Sequence, residues 1–118
     1  MIKTKMVSQN KVEIESILSN WSSSNVLSDD GFFIKRIESP NCKVTIFIME
    51  DYYFRINSTL TLTVIAEETA EATTVEIVSS GGKEGLGGFS YGAEKSAVKR
   101  IVKLLMENGF VEQEKLQS

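Results

Sequence analysis

The stretch FRINSTLTLTV, residues 54–64, carries the clearest periodic pattern in the chain. Apolar side chains occupy its even-numbered positions, interrupted only by Ser58, and polar side chains, chiefly threonine, occupy the odd-numbered ones. Because successive side chains of a β-strand point to opposite faces of a sheet, the alternation predicts one long strand with a core face and a threonine face. Asn57 and Ser58 are expected to form a bulge or bend within it.

Three shorter strands are predicted around this stretch, at residues 32–37, 44–49 and 73–79. The first ends at a turn containing Pro40, because proline lacks the N–H that a β-ladder requires. Glu50 and Asp51 are expected to form the next turn, although the aromatic residues that follow can extend either strand. An acidic turn at residues 67–71 precedes the last strand.

Two amphipathic helices flank the predicted strands. Their apolar stripes consist of Ile14, Ile17, Leu18 and Trp21 in the first helix and Val98, Ile101, Val102 and Leu105 in the second. The first helix is expected to begin at a capping box formed by Asn10 and Glu13. The second is expected over residues 93–107 and to end at the Asn-Gly pair 108–109, which is typical of a C-terminal cap; residues from 111 onward are expected to fray.

The predicted order of elements is αββββα. Strands joined by short turns favour an antiparallel sheet, and both helices must bury their apolar stripes on its apolar face. The sequence therefore predicts an α+β protein, a two-layer sandwich of a four-stranded antiparallel sheet with two helices on one face. A length of 118 residues fits a single domain covering residues 1–118, with an ordered core at about 10–110.

Composition and charge argue against several partners. The chain has 13 basic and 16 acidic residues and a net charge of −3, so neither nucleic acid nor a membrane is expected as a partner. No apolar run approaches the roughly 18 residues that span a bilayer, and the first residues lack the apolar segment of a secretory signal. Cys42 is the only cysteine, which suits a reducing compartment, and a cytoplasmic location is expected.

The chain contains no histidine. Its absence excludes Ser-His-Asp and Cys-His catalysis and histidine-ligated metal sites, and leaves Cys42 without an activating base. Glu50 and Asp51 are adjacent carboxylates, but adjacent strand residues point to opposite faces, so the two converge as an acid-base pair only if a turn brings them together; a solvated turn is favoured. We therefore expect no catalytic residues, no metal site and no cofactor, and a non-catalytic protein is favoured.

A glycine-rich segment at residues 78–100, VSSGGKEGLGGFSYGAEKSAVKR, is the first candidate site. It leads from a predicted strand into a helix, where free backbone N–H groups can bind an anion, so Gly82, Gly85, Gly92 and Lys95 are candidate ligand-binding residues. The order of glycines does not match a phosphate-binding loop, and Glu94 in the expected first turn of the helix would repel an anion. A structural connector is therefore favoured over an anion site.

The aromatic and charged side chains near residue 54 form the second candidate site. Tyr53 and Arg55 are expected on the polar side of the long strand, where Arg55 can bind a carboxylate ligand bidentately. The alternative, a cross-strand ion pair between Arg55 and Glu76, is favoured. In either case Arg55 is predicted to project from the face of the sheet opposite the helices.

The threonine face of the long strand is a candidate surface for a homodimer. Its members are Thr59, Thr61 and Thr63. If Thr45, Phe47 and Met49 share that face, its centre is apolar enough to pair with a second subunit. A plain solvated face is the alternative, and the pattern of residues favours neither. A basic row on the second helix, Lys95, Lys99, Arg100 and Lys103, is expected to be a solvated surface.

Several motifs, taken in order, resemble a family of small bacterial proteins of unknown function. They are the segment EDYYFR, a threonine-rich strand LTLTV, a glycine-rich turn after VEIV, and the helix start YGAEK, spread over roughly residues 49–105. The matching positions are Tyr52, Tyr53, Arg55, Gly81, Gly82, Gly85, Gly92, Ala93 and Glu94. The resemblance implies no activity and assigns no role to these residues. Together the observations favour a non-catalytic binding module, with an anion- or nucleotide-binding protein that uses residues 81–95 as the alternative.

Overall fold

The computed structural model describes residues 2–10, 12–25, 32–53, 58–81 and 89–117. These residues form two helices and six strands. In chain order the elements are β1 (Ile2–Ser8), α1 (Ile14–Asn25), β2 (Phe32–Ser39), β3 (Cys42–Tyr53), β4 (Ser58–Thr69), β5 (Thr73–Gly81), α2 (Phe89–Glu107) and β6 (Val111–Gln117). All neighbouring strands are antiparallel and form one sheet in the order β2-β3-β4-β5-β1-β6. The α+β class and the antiparallel sheet are confirmed.

The prediction of a four-stranded sheet is wrong, because a strand from each end of the chain joins it. In β1 every second residue is buried, but Thr4 and Ser8 take two of the core positions, so the apolar periodicity is weak. β6 has almost no apolar alternation and pairs with β1 through a register that shifts at Lys5. Residues 111–117 thus form an edge strand, and the expectation that they fray is wrong.

The predicted turn at Glu50 and Asp51 is also wrong, because β3 continues through both residues to Tyr53. Its pairing with β4 is unbroken up to Tyr53 opposite Ser58. Residues 54–57, which include the expected position of Arg55 and part of the expected bend, lie outside the described residues. The turn at Pro40 is confirmed, and there the Ser39 hydroxyl donates a hydrogen bond to the Cys42 carbonyl oxygen over 3.0 Å.

One face of the sheet, here called the core face, carries the buried side chains. The side chains of Leu60, Leu62 and Val64 in β4 point inward, as the alternation predicted, and their partners in β3 and β5 share that side. The buried residues of the four inner strands are Ile2, Thr4, Met6, Ser8, Thr45, Phe47, Met49, Leu60, Leu62, Val64, Ala66, Thr73, Val75, Ile77 and Ser79. The apolar members form one cluster with Ile14, Leu18 and Trp21 of α1 and with the apolar stripe of α2, so both helices pack on the core face.

The two helices divide the core face between them. α1 packs near β3 with Ile14 and Leu18 fully buried, and α2 covers β5, β1 and β4. α1 begins at Ile14, so the predicted cap at Asn10 does not form. The Asn10 backbone N–H instead donates to Ser8 Oγ, because β1 ends at Ser8 and the chain must turn there toward the helix layer.

α2 ends in the cap that the Asn-Gly pair predicted. Gly109 has a φ of +92°, its N–H bonds the Met106 carbonyl, and the Phe110 N–H bonds the Leu105 carbonyl over 3.0 Å. This pair of bonds is the Schellman motif, and the buried ring of Phe110 supplies its hydrophobic contact. The motif turns the chain back along the sheet and so delivers β6 to the edge of β1.

Candidate functional site: the open face of the sheet

The side of the sheet opposite the helices, here called the open face, has no helix over it among the described residues. Since antiparallel partners point to the same side, the strand register gives its composition row by row. The rows across β2, β3, β4 and β5 are Phe33-Ile48-Thr63-Val78, Lys35-Ile46-Ile65-Glu76 and Ile37-Val44-Glu67-Thr74. Seven of these twelve positions are large and apolar, which is unusual for a sheet face turned to water.

We call these seven residues the apolar patch: Phe33, Ile37, Val44, Ile46, Ile48, Ile65 and Val78. Phe33 is 54% exposed and Ile37 is 49% exposed, and the other members are half-buried by their neighbours on the sheet. A contiguous apolar surface of this kind on a single chain is a mark of an interaction site.

Charged side chains surround the apolar patch rather than interrupting it. Lys35 lies on the edge strand β2, and Glu76 lies on β5 with Lys5 of β1 as its cross-strand neighbour. Glu67 lies at one end of β4 next to Val44. An apolar centre with a charged border is the anatomy of a protein-protein interface.

The threonine face named by the sequence is part of this surface, with a correction. Thr61 and Thr63 lie on the open face, half-buried, and the side chain of Thr59 lies outside the described residues. Phe47 and Met49 do not share that face, because they pair with Val64 and Leu62 and are buried against the helices. Thr45 likewise pairs with Ala66 on the core face. The isoleucines between them, Ile46 and Ile48, supply the apolar centre instead.

A second feature lies on the helix side of the protein. Four basic side chains of α2, together with Ser96, line an open depression of about 380 Å³; they are Lys95, Lys99, Arg100 and Lys103. The guanidinium carbon of Arg100 lies 5.9 Å from the ring centroid of Trp21, a cation-π contact that joins α2 to α1. Within the described part of the chain, none of the three lysines forms an ion pair, so this basic depression concentrates positive charge.

The residues predicted as a ligand site are not brought together by the described part of the structure. Tyr53 ends β3, opposite Ser58, and nothing is described of its side chain. Arg55, Gly82 and Gly85 lie outside the described residues. The remaining two, Gly92 and Lys95, both lie in α2, and the half-exposed Lys95 lines the basic depression.

The predicted start of the second helix is wrong by four residues, because α2 begins at Phe89. Gly92 therefore completes the first turn rather than preceding the helix, and Glu94 falls in the second turn. The first turn of α2 consequently carries no acidic residue. The argument that Glu94 in the first turn would repel an anion therefore does not apply.

Further chemistry is not evident among the described residues. They contain no group of three or more histidine, cysteine, aspartate or glutamate side chains arranged to hold a metal ion. Neither of the two described helices is long and apolar enough to cross a membrane. Cys42, half-buried at the start of β3, is a free thiol.

The fold and its two surfaces define an α+β protein in which, among the described residues, helices cover one side of an antiparallel sheet and leave an apolar side without a helix over it. A family model described as a family of unknown function, DUF6054, matches residues 5–109, and the chain belongs to that family. The resemblance to a family of unknown function is thereby confirmed. No curated protein and no solved structure is significantly similar to the chain. The open face and the basic depression are therefore interpreted from their own chemistry.

Proposed function

We propose that the protein is a non-catalytic binding module that self-associates through the open face of its sheet. The observation that carries this proposal is the apolar patch at the centre of that face. The patch includes Ile46, Ile48 and Ile65, which are in partial contact with water. A partner that covered them would stabilise the complex by roughly 25 cal/mol for each square ångström of apolar surface removed from water.

The size of the face supports a second copy as the occupant. Strands lie about 4.8 Å apart and residues rise about 3.4 Å, so four strands over roughly eight residues project onto about 500 Å². Side-chain relief makes the accessible area larger, which places a face-to-face dimer near the lower end of the roughly 1,200–2,000 Å² that stable interfaces bury in total. An isologous dimer needs only this one patch, because each subunit presents the same surface. The expected affinity is micromolar, since association costs offset much of the apolar gain.

Sedimentation velocity over roughly 1 to 500 µM protein tests the proposal, because that range brackets a micromolar dissociation constant. The wild type is expected to shift from monomer to dimer, and Ile65→Lys is expected to remain monomeric, since it places an unpaired charge at the centre of the patch. Met106→Lys is the matched control, because Met106 is 54% exposed on α2, on the other side of the molecule.

Two outcomes contradict the proposal. A wild type that stays monomeric up to 500 µM rules out self-association at the expected strength. Equal dimerisation of the wild type and Ile65→Lys places the interface elsewhere. Ile65→Thr serves as a gentler variant, since threonine keeps the branched side chain that a strand favours while removing apolar area.

The basic depression supports a second function, the binding of a small phosphate-bearing anion. Its support is the clustering of Lys95, Lys99 and Lys103 in a chain whose net charge is −3. We expect pyrophosphate or a nucleotide to bind with an affinity that falls as salt rises. Calorimetric titration of wild type and the double variant Lys99→Ala, Lys103→Ala tests this, with Lys3→Ala, on the opposite face of the sheet, as the control. Saturable binding lost only in the double variant supports the site, and equal binding by all three proteins rejects it.

A further inference from the structure

Two opposite charges bracket the centre of the open face. In the middle row Lys35 of β2 and Glu76 of β5 lie on either side of Ile46 and Ile65, so the order along the row is positive, apolar, apolar, negative. Both charged side chains are exposed, and neither forms an ion pair within the described part of the chain. If a second copy of this row is laid over the first in the opposite order, each charge meets the opposite charge and each isoleucine meets an isoleucine.

We infer that the occupant of the open face is a second copy related by a two-fold axis that runs parallel to the strands, between β3 and β4. The inference rests on the proposed function, since it specifies how the two copies meet. A rotation about that axis lays β2 of one copy over β5 of the other and β3 over β4. Sheets packed in this way keep their strands nearly aligned at a spacing of about 10 Å, as in β-sandwiches.

The axis brings the members of each row together in complementary pairs. In the middle row Ile46 faces Ile65 of the second copy, and Lys35 faces Glu76 of the second copy; each contact occurs twice by symmetry. In the first row Phe33 faces Val78 and Ile48 faces Thr63. In the third row Ile37 faces Thr74 and Val44 faces Glu67, whose carboxylate lies at the end of the face where it can reach water.

Other axes through the patch are disfavoured by charge. A two-fold axis along the middle row, perpendicular to the strands, sets Lys35 against Lys35 and Glu76 against Glu76, which is repulsive. An axis along β4 sets Lys35 against Lys5. An axis between β4 and β5 sets Ile46 against Lys5, which buries an unpaired charge. The axis between β3 and β4 leaves β1 outside the contact, so Lys3 and Lys5 stay in water.

Charge reversal in two separate proteins tests the axis. Lys35→Glu places two negative charges opposite each other at both symmetry-related contacts, and Glu76→Lys places two positive charges there. Each variant alone is expected to raise the dimer dissociation constant by about tenfold, because two attractive pairs become repulsive. An equimolar mixture of the two variants restores both opposite-charge contacts in the mixed dimer. Its dissociation constant is expected to return to within about threefold of the wild type.

The control is the double variant Lys35→Glu, Glu107→Lys, which has the net charge of the wild type but carries the compensating reversal on the exposed end of α2. It is expected to show no recovery, because both contacts of its dimer stay repulsive. Thermal unfolding of each variant at low concentration checks that the fold survives. Recovery in the mixture but not in the double variant supports the axis. A wild type that dimerises and is disrupted by Ile65→Lys, but whose charge variants do not recover on mixing, overturns the axis and leaves the proposed function standing. A wild type that does not dimerise overturns both.

Discussion

Glu15 of α1 and Arg36 of β2 form a bidentate ion pair that fastens the first helix to the edge of the sheet. Arg36 Nε donates to Glu15 Oε1 over 2.6 Å, and Arg36 Nη2 donates to Glu15 Oε2. Arg36 shares its cross-strand row with Thr45, so its side chain rises on the core face, where α1 lies. The hydrogen bonds from Arg36 hold the pKa of the Glu15 carboxyl below its ordinary value, and burial opposes this without reversing it.

The pKa of Glu15 predicts a pH dependence of stability. Since the pKa is lower in the folded state, the pair stabilises the protein above the ordinary carboxyl pKa, and its contribution is lost as pH falls through the lowered value. Glu15→Gln is expected to lower the free energy of unfolding slightly at pH 7, because exposed ion pairs contribute little. The difference between variant and wild type should shrink toward zero in urea unfolding at acidic pH. Glu13→Gln, at an exposed residue just before α1, is the control. If the difference in stability between Glu15→Gln and the wild type is as large at acidic pH as at pH 7, the lowered pKa of Glu15 is contradicted.

Thr45 offers a test of the core. Its side chain is fully buried on β3, and its Oγ1 has no hydrogen-bond partner among the described residues. A buried hydroxyl without a partner costs about 1–3 kcal/mol, so Thr45→Val, which replaces the hydroxyl with a methyl group of similar size, is expected to raise the free energy of unfolding by about 1 kcal/mol. Denaturant unfolding measures the change. Thr63→Val on the open face is the control, and stabilisation that is equal at both positions would mean that strand propensity, not the buried hydroxyl, is responsible.

Gly109 is expected to be sensitive to substitution. Its φ of +92° lies in a region that side chains disfavour, although among the described residues a methyl group there would meet only Asn10 Nδ2, at 3.8 Å. Gly109→Ala should therefore destabilise the protein by about 1–2 kcal/mol through backbone strain alone. Glu107→Ala, at an exposed position of the same helix end, should change stability little. A Gly109→Ala protein as stable as the wild type in thermal unfolding contradicts the left-handed cap.

Local patterns in the sequence predicted the parts of the fold that depend on local physics. The alternation in β4 identified its buried face, and the Asn-Gly pair identified the end of α2, because both depend on a few neighbouring residues. The strand β6 was missed because its pairing with β1 depends on backbone hydrogen bonds rather than on an apolar pattern. A strand that forms only because a neighbouring strand offers backbone hydrogen bonds has no apolar pattern by which to recognise it.

The composition of the open face likewise could not be predicted from local sequence patterns alone. The sequence identified Thr61 and Thr63 as surface residues, but which β3 residues stand beside them depends on the register between two strands. A shift of one residue exchanges Phe47 and Met49 for Ile46 and Ile48. The register between β3 and β4 depends on where the turn between them lies. The sequence predicted that turn at Glu50 and Asp51, whereas β3 continues to Tyr53, so the register could not be predicted from the sequence.

Methyl NMR of the isoleucines tests the central claim, self-association through the open face, most directly. Ile46, Ile48 and Ile65 lie in the apolar patch, whereas Ile14, Ile77 and Ile101 are fully buried on the core side and serve as internal controls. Spectra recorded from about 10 to 500 µM should show shifts of the first three methyl groups that saturate with a micromolar dissociation constant, while the controls stay fixed. Unchanged positions of all six methyl groups across that range would contradict self-association, and shifts at other sites alone would contradict the open face as its surface.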